Sequence, residues 1–322
     1  MLSYFQAAVI GLIQGVSELF PVSSLGHSVL VPALIGGRWR ELVSQSDGAS
    51  SGSPYLAFIV ALHVASAIAL LVFFRHDWDR IIRGFARSVK PSLAARRVVA
   101  TDADARLAWL LIIATIPVAI TGLALEHTFR TLFAKPLAAA IFLTINGLIL
   151  LTGEWLRRRA PIDAEELEVL ASVGPGPTGP ALDLSDVDTP SGRPARRLGS
   201  LSYLEAGVIG FFQTFALLAG ISRSGISMVG GLTRGLSHRD AARFSFLLAT
   251  PVILAAGVLK LPTLAGPAGA HIHGQVLLGA VLAGLASYAS VRWLTRWFET
   301  RTLTPFAIYS LVLGIACIAR FA

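Results

Sequence analysis

The sequence predicts an all-α polytopic membrane protein of inverted-topology repeats, with about six spanning helices and two broken, re-entrant helical segments. Three observations predict it. Hydrophobic residues make up 54% of the 322-residue chain and charged residues only 14%, with a mean hydropathy of +0.67. That is too apolar for a soluble domain. Several apolar runs reach the roughly 20 residues a helix needs to cross a bilayer. The chain also repeats itself at an offset of 199 residues. Leu2 to Ser28 lies over Leu201 to Ser227 without a gap, and 12 of those 27 positions are identical.

The first element, residues 2–36, is apolar but interrupted by Gln14, Glu18, Ser23, Ser24 and His27. Ionisable and hydroxyl groups at bilayer depth are costly unless they face a cavity or a partner. Pro21 and Gly26 are expected to break the helix here. Residues 37–54, polar and rich in Gly and Ser, read as a loop. Residues 55–74 form a clean span in which His63 is the one group able to charge. That histidine reads as packed and hydrogen-bonded. Residues 75–106 are basic and partly amphipathic. Spans follow at 107–125, with a kink expected at Pro117, and at 137–155, where Asn146 reads as a polar link between helices. These elements make up the first repeat, 1–156.

Residues 157–199 form a soluble-looking insert, basic at both ends, acidic and then Pro/Gly-rich within, with a short helix expected at 164–171. The second repeat, 200–322, opens with the broken segment 201–236. Its spans are 244–261, 276–293 and 305–318. Lys and Arg number 8 in residues 75–106, 6 in 157–199 and 3 in 292–303, against 2 in 126–136 and none in 263–274. By the positive-inside rule the first three segments are cytoplasmic and the last two external, which places His127, His271 and His273 outside. The net charge of +8 follows from those loops and from contact with anionic lipid, not from nucleic-acid binding. The single cysteine, Cys317, excludes an internal disulfide and argues against a cysteine metal site. No Lys or Arg precedes Arg38, so the N-terminal region does not read as a cleaved signal peptide.

If each broken segment dips into the bilayer and returns, the first enters from outside and the second from inside. Their tips then meet near the midplane, where such folds place a site. The two tips are complementary. Gly220-Ile-Ser-Arg-Ser-Gly-Ile-Ser227 brings Ser222, Arg223, Ser224 and Ser227. An arginine among serines and glycines suits phosphate, because its planar fork binds oxygens in pairs and a following helix N-terminus favours the anion. Gln14 and Glu18, four apart, share a helix face. They either hold a divalent cation together with phosphate and water, or Glu18 pairs with Arg223. Ser24 and His27 are a candidate nucleophile and acid–base group. Ser23 is a cap or phosphate donor. Gln213 mirrors Gln14, and either orients groups in the site or pairs across the repeat.

Glu18-Leu-Phe-Pro-Val-Ser-Ser-Leu-Gly-His27 resembles the signature of the bacterial undecaprenyl-diphosphate phosphatases of the bacitracin-resistance type. Ala219 to Ser227 is similar to that family's second signature, and Ala242 to Pro251 to the run that follows it. The resemblance covers the chain outside 157–199. Gln14 stands where the family usually has Glu, Ala219 where it has Pro, and Ser227 where it has Thr.

The resemblance implies hydrolysis of undecaprenyl diphosphate to the monophosphate, aided by Mg²⁺ or Ca²⁺, at the outer face of the bacterial inner membrane. The product is the lipid carrier for peptidoglycan and other envelope polymers. By the same carry-over, Glu18 with Gln14 positions the cation, and Arg223 clamps the diphosphate with Ser222 and Ser227. Ser24 and His27 supply the nucleophile or the acid–base group. Substrate contacts extend to Ser23, Ser224 and Gln213. The rival reading is a transporter or flippase of the phosphorylated lipid, and homo-oligomerisation is left open.

Overall fold

A computed structural model of the chain describes residues 2–47, 54–133, 135–159, 187–188, 193–260 and 272–322. The first broken segment consists of α1 (Tyr4–Ser17) and α2 (Ser24–Ile35). Ser3 caps α1. Its Oγ accepts from Gln6 N at 3.1 Å, and Gln6 Oε1 accepts from Ser3 N at 2.9 Å. The reciprocal box satisfies two N–H groups that a helix start leaves without partners. The break spans residues 18–23 and contains Pro21. Ser23 has a left-handed φ of 68°, and its Oγ accepts from Gly26 N at 3.2 Å to start α2.

Gly26 therefore does not break the helix, contrary to expectation, but lies in its first turn. Its missing side chain serves a close approach, since a Cβ there would sit 3.0 Å from Gly220 Cα.

A short helix, α3 (Gly37–Asp47), replaces most of the loop expected at 37–54. The cause is a small apolar face within the polar stretch. Leu42 is buried, and Trp39 packs edge-on against Phe5 with centroids 6.2 Å apart. Next comes α4 (Pro54–Phe73), then α5 (Arg75–Ala95), which turns away from α4 by 84°. This amphipathic, basic helix buries Ile81, Gly84, Ser88 and Ser92 along one stripe. Such a helix suits the membrane surface. α6 (Ala103–Phe133) runs continuously through Pro117, and α7 (Pro136–Arg159) closes the first half.

The second half begins with α8 (Tyr203–Phe212), a 3₁₀ turn at Gln213–Leu217, and α9 (Arg223–Leu232). The repeat extends to the caps. Ser202 and Glu205 form the same box on α8 as Ser3 and Gln6 on α1. Ser222 Oγ accepts from Gly225 N at 3.2 Å, as Ser23 does from Gly26. Then follow α10 (His238–Lys260), α11 (His273–Thr300) and α12 (Thr304–Phe321). Of the insert, two residues on each side form a short antiparallel pair, β1 (Val187–Asp188) with β2 (Arg193–Pro194). The helix expected at 164–171 and the loop residue His271 lie outside the described residues, as does the His127 side chain. His273 is the exposed first residue of α11.

Among the described residues, five helices are long and apolar enough to span a membrane, namely Ala103–Leu125, Pro136–Arg159, His238–Val258, His273–Thr300 and Thr304–Phe321. The bent pair α4–α5 supplies a sixth. The six spans read from the sequence all fall on these helices. Their outward stripes are apolar, as at Ile112, Ile116, Ile120 and Leu123 on α6, which is the composition lipid requires.

Packing is reciprocal between the halves. α1 lies along α11, and its counterpart α8 lies along α6. The paired third spans α7 and α12 pack on each other, as do the first spans α4 and α10. Glycines permit the close contacts. Gly11 faces the backbone of Gly279 on α11, and its repeat mate Gly210 faces Ala114 on α6. This exchange of partners is what two copies related by a twofold axis produce. It brings the two broken segments together, one from each half.

Candidate active site

The centre of the site is the carboxylate of Glu18, 6% exposed at the end of α1. Burying a charge this deeply is unfavourable unless it is paired and hydrogen-bonded, and Glu18 is both. Arg223 Nη2, from the other half, donates to its Oε1. Ser24 Oγ donates to Oε2 at 2.5 Å, and Gln14 Nε2 donates to the same oxygen at 2.8 Å from one turn back. His63 Nε2, from α4, lies 3.3 Å from it. Three separated stretches of sequence thus converge on one side chain.

The two breaks are tied directly. Ser23 Oγ accepts from Gly220 N at 3.1 Å. Ser222 Oγ is 3.0 Å from Ser224 Oγ, which donates to Phe20 O at 3.3 Å. Asn146 is a clamp between them. Its Nδ2 donates to Pro21 O at 3.0 Å, and its Oδ1 accepts from Ser222 N at 2.9 Å. Ser245 Oγ on α10 donates to Ser224 O at 3.1 Å. Gly220, with φ of 116°, sits against α7 where a Cβ would lie 2.6 Å from Leu143 N. Both the conformation and the space require glycine.

Several buried polar atoms here have no partner among the described residues: Arg223 Nη1, Ser227 Oγ and Gln14 Oε1. Buried polar groups are nearly always satisfied. Arg223 and Ser227 are four apart on α9, so they share a face at the first turn. A guanidinium nitrogen and a hydroxyl without partners, beside a helix N-terminus, are an arrangement for binding an anion.

The residues singled out from sequence divide in three. Gln14, Glu18, Ser24 and Arg223 form one bonded cluster. Ser23, Ser222 and Ser224 form the scaffold between the breaks, and Ser227 joins the anion-facing surface. His27 and Gln213 lie apart. His27 does not bond Ser24. Its Nδ1 is 2.7 Å from Ser23 O, and its Nε2 is 2.8 Å from the Tyr309 hydroxyl on α12. Ser24 is turned instead to Glu18. Gln213 Nε2 donates to Ala114 O at 3.3 Å, which fastens α8 to α6.

Two participants escaped the sequence reading. His63 is hydrogen-bonded as expected, with Nδ1 2.8 Å from Ile59 O, but its other nitrogen faces Glu18. Its signal was that no other group in 55–74 can charge. Tyr309 carried no local signal at all.

The donor set bears on a cation. Among the described residues no group of three or more His, Cys, Asp or Glu is placed to hold a metal ion. One carboxylate, Glu18, and the unpartnered Gln14 Oε1 beside it are oxygen ligands. That fits a hard cation that keeps water and takes its remaining ligands from phosphate, and does not fit an all-protein cage.

Fold and site together define an all-α polytopic membrane protein in which Arg223 of the second broken segment meets Glu18 of the first. The chain matches the family described as Bacitracin resistance protein BacA over residues 7–316. It is 60% identical to undecaprenyl-diphosphatase 2 of Frankia alni over 344 aligned positions, covering 100% of this chain and 98% of the relative. It is 54% identical to the undecaprenyl-diphosphatase of Mycolicibacterium paratuberculosis, with 100% and 98% covered. It is 38% identical to undecaprenyl-diphosphatase 2 of Chromobacterium violaceum, with 96% covered on both sides. The chain belongs to the BacA family.

Proposed function

We propose that the protein is an integral membrane phosphatase that hydrolyses undecaprenyl diphosphate to undecaprenyl phosphate and inorganic phosphate. It thereby recycles the lipid carrier for peptidoglycan and other envelope polymers, with bacitracin resistance as a consequence. The carrying observation is Arg223: half-buried, bonded to Glu18 through one nitrogen, with the other nitrogen buried and unpartnered among the described residues and Ser227 on the same helix face. A lipid diphosphate needs this combination of a half-buried cationic clamp and an apolar surround. The names and high identity of the relatives support the same reading.

The proposed chemistry follows from these contacts. The terminal phosphate binds Arg223, Ser227 and the N-terminus of α9, and competes with Glu18 for the guanidinium. Glu18 keeps Ser24 as donor. Ser24 Oγ attacks the terminal phosphorus, its proton passes to Glu18, and the bond to the bridging oxygen breaks with release of undecaprenyl phosphate. Water then attacks the phosphoserine, with His27 as acid–base group, and frees inorganic phosphate and Ser24. Positioning and charge stabilisation carry most of the acceleration in such transfers. A divalent cation at Glu18 and Gln14 would offset negative charge on the diphosphate.

The reciprocal packing supports an inverted relation of the repeats, and we assign the site's opening to the outer face of the inner membrane. The same architecture is used by transporters, so a flippase is the rival. Phosphate release from undecaprenyl diphosphate by purified protein in detergent separates them: an enzyme releases phosphate, a flippase does not. Release that persists in Ser24→Ala would move the nucleophile to water activated by His27.

A further inference from the structure

Phe20 sits in the first break, close in sequence to Glu18. Its carbonyl oxygen accepts from Ser224 Oγ at 3.3 Å, next in the chain to Arg223. Its ring lies against α11, stacked on Trp293 at 6° with centroids 5.4 Å apart. Trp293 in turn stacks on Trp297, one helical turn on, at 25° and 4.8 Å. Three near-parallel rings thus form a row that begins at the break carrying Glu18.

Phe306 of α12 backs this row. It is 7% exposed, and its ring lies edge-on to Phe20, Trp293 and Trp297 at 5.5, 6.5 and 5.9 Å. Trp297 Nε1 donates to Thr302 O at 3.2 Å, which pins the far ring. The row is therefore ordered before anything binds, and binding it costs little side-chain entropy. Its outer side is open: Trp293 is 45% exposed, and Phe20 and Trp297 are half-buried. Towards its other end α11 turns aliphatic side chains outward instead, Leu277, Val281 and Leu285.

Within a bilayer apolar area selects nothing by itself, because the surrounding acyl chains are equally apolar. Selection has to come from shape and close packing. An isoprenoid tail carries a methyl branch at every fourth backbone carbon, about 4–5 Å apart at ordinary carbon–carbon bond lengths. Rings 5.4 and 4.8 Å apart match that repeat, and an unbranched acyl chain has no branches to seat between them. The row is also continuous with the head-group site through Phe20. From there it leads to the end of α11 that the Lys and Arg count places in the cytoplasm. The tail of a lipid whose head group enters from outside points the same way.

We infer that Phe20, Trp293 and Trp297 form the track for the isoprenoid tail of the lipid diphosphate and make the protein favour long tails over short ones. This rests on the phosphatase reading. The alternative is that the two tryptophans serve only as anchors at the membrane interface.

Phosphate release by purified full-length protein in detergent distinguishes the two, measured on geranyl, farnesyl and undecaprenyl diphosphate in order of tail length. Trp293→Leu stays apolar but removes the middle ring. It should lower kcat/KM for undecaprenyl diphosphate about 3- to 10-fold, the worth of one aromatic packing contact. The loss should lie mainly in KM and should shrink as the tail shortens. Trp293→Phe keeps a flat ring and should recover most of it. Equal losses on all three substrates, or no loss on the longest, overturn the inference and leave the phosphatase reading in place. Wild-type protein that releases phosphate from none of the three overturns both.

Discussion

Glu18 and Arg223 depend on each other, and their substitutions should show it. Glu18→Gln preserves volume but leaves the half-buried Arg223 guanidinium without its counter-ion. Breaking one side of a buried pair costs about 3–5 kcal/mol, so thermal unfolding in detergent should occur at clearly lower temperature. Phosphate added in millimolar amounts should restore part of the loss by supplying an anion to Arg223; no restoration would speak against the clamp. Arg223→Lys keeps the charge but not the fork, and should lower kcat/KM by about 10- to 100-fold in a phosphate-release assay.

The residue scale is also where sequence reasoning was least complete. Glu18, Ser24 and Arg223 were legible because each is expensive at membrane depth. The Ser24–His27 pairing was not, because spacing does not say which way a side chain turns. At the start of α2, Ser24 turns to Glu18 and His27 turns back to Ser23 O and outward to Tyr309.

The elements that position the site are two short helical pairs, and their caps carry the repeat. Asn146, read from the sequence only as a link between helices, binds both breaks at once. Asn146→Ala leaves Pro21 O and Ser222 N without their buried partner. At about 1–3 kcal/mol for each group stranded, the protein should unfold earlier and release phosphate more slowly; a melting curve and an assay on the same preparation check both.

Outside the membrane, Asp102 starts α6. Its carboxylate accepts from Ala105 N at 2.8 Å and from Arg87 at 2.8 Å. The Ala105 N–H first, and Arg87 second, hold its pKa below the ordinary 3.8. A depressed folded-state pKa means that the stabilisation is complete above the ordinary value and lost as pH falls through the folded-state value. The melting-temperature gap between wild type and Asp102→Asn should therefore stay constant down to about pH 4 and close below it.

The helix α3 was missed because Gly and Ser around it read as loop, while its apolar anchors among the described side chains are Trp39 and Leu42.

For the whole molecule, six spans and the repeat were legible because bilayer thickness and the 199-residue offset constrain them strongly. The exchange of partners, α1 with α11 and α8 with α6, was visible only in the packing. Orientation is testable by labelling. The single native cysteine, Cys317, is buried and gives a quiet background. A cysteine at Ser172 should react with a membrane-impermeant maleimide only from the cytoplasmic side, and one at Ala268 only from outside. Labelling of both from one side would contradict the assigned topology.

The account rests on a phosphate clamp in one repeat meeting a carboxylate and a hydroxyl in the other. The most direct test is phosphate release from undecaprenyl diphosphate by purified Arg223→Ala protein. The account predicts a loss of about 100-fold or more against wild type. Release at the wild-type rate would contradict it.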